Sequence, residues 1–186
     1  MQRRQVLSLS GLLALPLELL AADFSPTPAD SQGPFYPVAP IPLRSDLVLD
    51  HQALGKETVL LHGQVLSRQG KAIVGAKVEI WQCDIFGRYD HPAQSQHAQF
   101  DPRFAGFGAQ LTDDAGAYRF TTLKPVPYSG RPPHIHAKIW HDEKELLTTQ
   151  LYPTAADKVT TWRAPLQLQA KRDAQGLLSA SFTFVV

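Results

Sequence analysis

The sequence predicts an all-β chain: an antiparallel β-sandwich with a proline-rich N-terminal arm. Three observations support this. Fifteen prolines and twelve glycines punctuate the 186 residues and leave little room for long helices. Several segments alternate apolar and polar residues with the period of two expected of a strand with one buried face. Strands do not alternate with helix-length patterns of period 3.6, which argues against a parallel βαβ sheet.

The elements follow in order. Residues 23–45 are proline-rich and contain Gly33-Pro34-Phe35-Tyr36-Pro37, which reads as an extended arm. Thr58–Leu66 is a strand, Gln69-Gly70-Lys71 a turn, and Val74–Trp81 the next strand. Residues 82–110 form a long irregular segment, and a loop of that length in a compact domain is usually functional. Asp113–Gly116 is a turn before the strand Ala117–Leu123, and Lys124–Tyr128 leaves the sheet. His134–Trp140 and Glu145–Tyr152 are strands joined by the turn His141–Lys144. A short helical turn is expected within residues 154–164. The last strand, Gly176–Val186, puts Leu178, Ala180, Phe182, Phe184 and Val186 on one side. The length suits one domain, residues 23–186.

A formal net charge of +1 leaves no electrostatic footprint for a nucleic-acid partner. The single cysteine, Cys83, has no intrachain disulfide partner and reads as a small buried hydrophobe. Residues 1–22 carry Arg3-Arg4, an apolar run from Val6 to Leu15, and Ala21-Ala22 at the end. These are the parts of an export signal of twin-arginine type. The run is short and interrupted by Glu18, so it is not a membrane anchor. The expectation is a periplasmic or exported domain. The alternative is an amphipathic helix on a cytoplasmic protein.

The chemistry concentrates in Tyr128 and Gly130-Arg131-Pro132-Pro133-His134-Ile135-His136. Histidines at i and i+2 on a strand point to one face, where two imidazoles can grip one metal ion. Tyr89 and Tyr128, if they join them, supply hard phenolate oxygens. That set suits ferric iron better than zinc or copper. His51, His62, His91, His97 and His141 read as surface or loop residues, with His91 and His97 close in sequence to Tyr89.

Five segments, in order, resemble the intradiol ring-cleavage dioxygenases, non-haem ferric enzymes that split catechols between the two hydroxylated carbons. They are Gly33-Pro34-Phe35-Tyr36; Ile80-Trp81-Gln82 leading to Gly87-Arg88-Tyr89; Asp101-Pro102 through Leu111-Thr112-Asp113; Pro127-Tyr128 with Arg131-Pro132-Pro133-His134-Ile135-His136; and Thr149-Gln150-Leu151-Tyr152. The resemblance implies that Tyr89, Tyr128, His134 and His136 hold Fe(III). It implies that Arg131 offsets negative charge on a bound catechol and that Gln150 supports that arginine. It further implies that Trp81 walls the pocket, that Gly33, Pro34 and Tyr36 cover it, and that Tyr128 is the ligand that leaves when substrate binds. The implied reaction joins a catechol-type aromatic with O2 and gives a cis,cis-muconate-type dicarboxylate. Family members often assemble, so a homo-oligomer is compatible with the resemblance. The connection between Tyr128 and His134 is short, and that compact edge leaves the particular catechol open.

The segments Gly63–Val65, Gly75–Val78 and Thr112–Phe120 also resemble transthyretin-like sandwiches, within the broader immunoglobulin-like architecture. Many of those only bind or space other domains. The tyrosine–histidine set separates the two readings, because a spacer has no use for it.

Overall fold

The computed structural model describes residues 23–94, 99–153, 161–172, 174 and 176–186. The export signal expected in residues 1–22 and the loop histidine His97 lie outside the described residues. So does most of the helical turn expected in residues 154–164. Its last part is described, as a 3-10 turn at Thr161–Leu166.

Eight strands form one mixed sheet: β1 Thr58–Leu66, β2 Lys77–Trp81, β3 Phe107–Leu111, β4 Ala117–Leu123, β5 Ile135–His141, β6 Lys144–Pro153, β7 Gln167–Arg172 and β8 Leu178–Val185. Their order is β3-β2-β5-β6-β7-β8-β1-β4. A four-residue helix, His51–Leu54, precedes β1, capped by the Asp50 carboxylate on Ala53 N.

The expected purely antiparallel sandwich is corrected here. β1 pairs with β8 in parallel, and β6 pairs with β7 in parallel. The sheet nearly closes on itself into a barrel-like sandwich rather than dividing into two separate layers. Period-two alternation reports which face of a strand is buried and carries no information on the direction of its neighbour. The strands β3 and β7 were also not foreseen. β3 contains Gly108 and Ala109 and shows no alternation, while β7 buries only Leu168 firmly.

The arm does more than lie along the sheet. Residues 42–48 bridge the two terminal strands: Arg44 N donates to Ala109 O of β3, and Leu47 N donates to Thr121 O of β4. On the other side, Thr27 N donates to Val185 O of β8 and Asp30 N to Thr148 O of β6. The N-terminal segment therefore covers both places where the sheet would present open edges, which otherwise invite wrong pairing.

The core lies inside this closed sheet. Val78 and Ile80 of β2, Ile135, Ala137 and Ile139 of β5, and Leu147 and Leu151 of β6 meet Leu61, Val65, Phe120 and Phe184 there. The alternate residues of β2, β5 and β6 face outward and build the site. Leu47 is fully buried in the core, whereas Leu49, two residues on, is exposed. Leu47→Ala should therefore lower unfolding free energy by about 2–5 kcal/mol in denaturant titrations, while Leu49→Ala stays within about 0.5 kcal/mol.

Candidate active site

Three adjacent strands supply one face of the site. Register places Trp81 of β2 beside His136 of β5, and His136 beside Gln150 of β6. The Trp81 and His136 rings stack at 4.7 Å with an interplanar angle of 8°. His134 precedes β5 and shares that outward face two residues before His136.

Two connections bring the tyrosines. The loop after β2 is organised by the buried Asp84 carboxylate. Its Oδ1 accepts from Phe86 N and Arg88 N, and its Oδ2 accepts from Asp101 N. This side-chain replacement of backbone pairing holds the loop without regular structure and delivers Tyr89. Gly87 lets the loop touch the second connection, because a Cβ there would meet the Tyr128 Cβ at 2.9 Å. Tyr128 and Arg131 bracket a two-residue turn closed by Arg131 N donating to Tyr128 O at 2.7 Å. Its central residues, Ser129 and Gly130, have φ of 44° and 77°, a primed turn that glycine makes accessible. Pro132 and Pro133 then stiffen the entry to β5. The short connection is thus a tight turn plus a proline pair, which fixes the spacing of Tyr128, Arg131 and His134.

The structure brings all four tyrosine and histidine residues together. The Tyr89 and Tyr128 rings meet edge to face at 5.2 Å, Tyr89 lies 6.1 Å from the His136 ring, and Tyr128 lies 5.5 Å from the His134 ring. His134 Nδ1 faces Pro132 O at 2.7 Å. A carbonyl can only accept, so Nδ1 carries the proton and Nε2 presents a lone pair. That Nε2 stands 3.2 Å from His136 Nε2.

Electrostatics point the same way. Burial, ahead of the charge of Arg131, lowers His134 to a pKa of about 4. Burial, then His134 and Arg131, lowers His136 to about 2, with only partial offset from the Ser31 backbone. His136 Nδ1 has no hydrogen bond of good geometry. Both imidazoles are therefore neutral and available as ligands at ordinary pH. The Tyr89 hydroxyl is buried without a well-formed hydrogen bond, and burial, then Tyr128, pushes its pKa up. An orphaned phenol costs roughly 1–3 kcal/mol, and a cation at this point would remove that cost by accepting the phenolate. Two nitrogens 3.2 Å apart can both reach one ion at about 2.1 Å. Among the described residues no cluster of three or more His, Cys, Asp or Glu could hold a metal. A metal here depends on the tyrosines as donors, and the donor set fits Fe(III).

The remaining candidates divide. Arg131 Nη2 donates to Gln150 Oε1 at 2.7 Å, so that pair is formed. Gly33 lies against His136, where a Cβ would meet Cε1 at 3.3 Å. Pro34 is exposed on the arm's turn. Tyr36 packs its ring edge-on to Trp81 at 5.0 Å, but its hydroxyl points away and donates to Glu79 Oε2 at 2.9 Å. Phe35, quoted in the motif without a role, is the residue that reaches in. It stacks on Tyr89 at 4.7 Å and meets Tyr128 edge-on at 6.4 Å. His91 sits 5.7 Å from Phe35 at the margin. Cys83 packs beside Trp81 and Tyr89, and burial, then Asp84, raises its thiol to about 11. It is the inert buried residue expected.

The arm is anchored over this face by polar groups. Glu79 Oε2 also accepts from Trp140 Nε1 at 2.8 Å, and Glu79 Oε1 pairs with Lys77 at 2.8 Å. The buried Lys138 ammonium donates to Gln32 Oε1 at 2.6 Å, pairs with Glu145 at 3.1 Å and lies 4.2 Å over the Tyr36 ring. Sequence reasoning missed this anchor. The alternation of Lys77, Glu79, Lys138 and Trp140 with core residues signalled only an outward face.

The fold agrees with known proteins. The family model described as Dioxygenase (Dioxygenase_C) matches residues 31–174. The chain belongs to the intradiol ring-cleavage dioxygenase family, related to protocatechuate 3,4- and catechol 1,2-dioxygenases. It is 37% identical over 136 residues to the protocatechuate 3,4-dioxygenase beta chain of Burkholderia cepacia, across 66% of this chain and 57% of that protein. It is 31% identical over 139 residues to a catechol 1,2-dioxygenase of Candida albicans, across 64% of this chain and 45% of that one. The chain thus spans about half the length of these curated relatives. Among solved structures, the dioxygenase domain of a dioxygenase–carbohydrate-binding protein fusion from Streptomyces sp. SirexAA-E superposes with a TM-score of 0.72 at 28% identity. It covers 87% of this chain and 98% of that one.

The lowered histidine pKa values predict an acid-sensitive metal-free protein. Below the unfolded value of about 6.5 the unfolded chain binds more protons than the folded one. Stability is therefore complete above pH 6.5 and falls as pH drops toward 4 and then 2. Urea midpoints of chelator-treated protein should decline across that window. NMR should show neutral His134 and His136 imidazoles at pH 6.

Proposed function

We propose that this chain is a non-haem Fe(III)-dependent intradiol dioxygenase that cleaves a catechol-type aromatic with O2 to a cis,cis-muconate-type dicarboxylate. The observation that carries the reading is the meeting of a buried, unpartnered Tyr89 hydroxyl with two neutral imidazole nitrogens 3.2 Å apart and a second tyrosine. Tyr89, Tyr128, His134 and His136 would hold the ion. When bound, ferric iron supplies a Lewis acid that accepts the catecholate oxygens and draws electron density from the ring.

The chain's own residues do the rest. Tyr128 is only half-buried, unlike Tyr89, His134 and His136, and so is the ligand best able to swing out. Its Oη is the atom that takes up a catechol proton as it goes. Arg131 offsets negative charge as the ring loses aromaticity, a fixed cation aimed at developing charge. Phe35 on Tyr89, Trp81 on His136 and the Gly33 backbone against His136 shield the ligand rings from water. The tight Tyr128–Arg131 turn keeps the pocket edge compact, which suits a catechol whose substituents face outward.

Iron loading should give a broad visible tyrosinate-to-iron charge-transfer band that shifts when catechol is added without oxygen. Tyr89→Phe should lose most of that band. Oxygen uptake across catechol, protocatechuate, hydroxyquinol and substituted catechols reads the substrate directly. A protein that stays colourless after loading, or that binds iron and consumes none of these, defeats the proposal in favour of a binding module.

A further inference from the structure

Behind the Arg131–Gln150 pair lies a second row of groups that the proposed chemistry does not use. Gln150 and Tyr152 stand two residues apart on β6, share the outward face with His136, and are both fully buried. The Tyr152 hydroxyl lies 2.7 Å from Asp30 Oδ2 and 2.9 Å from Gln150 Oε1. Arg163 Nε stands 3.6 Å from the same Asp30 oxygen, and its guanidinium lies 4.9 Å over the Tyr152 ring. Asp30 comes from the arm and Arg163 from the 3-10 turn, so three distant parts of the chain converge on one amide.

That amide has a single satisfactory orientation. Arg131 Nη2 requires an acceptor and finds Oε1 at 2.7 Å. The Ser31 carbonyl requires a donor and receives Nε2 at 2.6 Å. Flipping the amide would set donor against donor and acceptor against acceptor. Tyr152 brings one more proton to this junction, shared between Asp30 Oδ2 and Gln150 Oε1 and kept on the phenol because burial and then Asp30 raise its pKa. Arg131 itself is half-buried, sits at the end of a tight turn, and carries a long side chain with much rotamer freedom to lose. Among the described residues, the hydrogen bond that restrains its guanidinium is the one to Gln150.

We infer that Tyr152 and Asp30 are positioning residues for Arg131: they lock the Gln150 amide, and the locked amide aims the guanidinium at the site. Arg163 in turn braces Asp30 and the Tyr152 ring. The inference rests on the proposed dioxygenase reading, in which Arg131 faces charge that develops during the reaction. Removing the Tyr152 hydroxyl leaves all four proposed iron ligands in place and loosens the amide together with one anchor of the arm at Asp30. The loss then falls on turnover rather than on substrate capture.

The test uses the full iron-loaded chain with catechol as substrate. Tyr152→Phe should keep the visible band and its anaerobic shift with catechol. Its kcat should fall about five- to tenfold with KM within about twofold, the loss of one positioning hydrogen bond. In an Arg131→Ala background the same substitution should change kcat by less than about twofold, because the two act as one unit. Asp30→Ala should lower kcat by a smaller factor than Tyr152→Phe, because the phenol keeps its contact with Gln150 and loses only the carboxylate that holds it, while Asp30→Asn, which retains an acceptor oxygen, should recover most of the activity. Asp30→Ala also serves if Tyr152→Phe folds poorly. A readout independent of turnover is water exchange of the Arg131 side-chain N–H groups by NMR on protein loaded with diamagnetic gallium(III). It should accelerate about tenfold in Tyr152→Phe. Wild-type kcat and wild-type exchange in Tyr152→Phe overturn the inference, as does a full loss that persists without Arg131. A wild-type protein that consumes none of the catechols in the panel overturns the dioxygenase reading instead, and the exchange measurement still decides whether Tyr152 positions Arg131.

Discussion

Everything at the site depends on one constraint: β2, β5 and β6 are buried on both faces. The inward residues, such as Ile80, Ile135 and Leu151, fill the core, and the outward ones, Trp81, His136 and Gln150, lie under other parts of the chain. A strand buried on one face can leave its polar side wet. A strand buried on both must provide a partner for every polar group it carries outward, or bear 1–3 kcal/mol for each one left alone. The outward face of this sheet carries Glu79, His134, His136, Lys138 and Gln150, all buried. Most have partners; among the described residues, the buried polar side-chain atoms without a hydrogen bond are the Tyr89 hydroxyl and His136 Nδ1 at the proposed iron position, together with Trp81 Nε1 and Arg163 Nε.

The cover that imposes this burial is the N-terminal arm, and the arm is bound by the polar groups it hides. Gln32 and Tyr36 engage Lys138 and Glu79, while Asp30 and the Ser31 carbonyl engage Tyr152 and Gln150. Stripping the arm away would leave a lysine, a glutamate and a glutamine on an apolar-walled face with half their partners gone. Gln32 and Tyr36 are neutral partners of charged groups, and a hydrogen bond to a charged group is worth about 1.5–3 kcal/mol. The arm and the outward face are therefore a single cooperative unit. The same segment pairs with both terminal strands through Arg44 and Leu47, so closure of the sheet and closure of the site are coupled through one stretch of chain.

The sequence showed the strands wherever one face alternates cleanly, and β1 and β4 match residue for residue. It did not show strand direction, because parallel and antiparallel neighbours bury the same alternate residues, and β1 meets β8 only after more than a hundred intervening residues. At the site, Tyr89, Tyr128, His134 and His136 were legible as residue types in a specific order, and the fold gathers them. What lay beyond the sequence were contacts set by long-range packing. Tyr36 and Phe35 are neighbours, and nothing in Gly33-Pro34-Phe35-Tyr36 says which ring faces Tyr89. The geometry of the arm decides it, because the hydroxyl of Tyr36 has a carboxylate to reach and Phe35 has none. Asp30, Tyr152 and Arg163 are separated by more than a hundred positions at the widest, and only the folded chain brings them to one amide.

The short Tyr128–His134 connection matters in the same light. Its primed turn ties Tyr128 to Arg131 through one backbone hydrogen bond, and Pro132 offers the carbonyl that sets the His134 tautomer. Three chemically different requirements are met within seven residues: a tyrosine able to release, a cation held near it, and an imidazole with its lone pair turned inward. The cost is that this stretch has no length left for side chains that reach across a substrate. In the proposed reading, selectivity then falls to apolar rings from elsewhere in the chain, such as Phe35 of the arm. These apolar surfaces discriminate by shape, and a methylene more or less is worth only about 1–3 kcal/mol. In the proposed reading, a site built this way recognises the catechol diol strongly through the metal and the rest of the aromatic weakly. The proposed reading therefore expects breadth toward substituted catechols, as a consequence of the short turn.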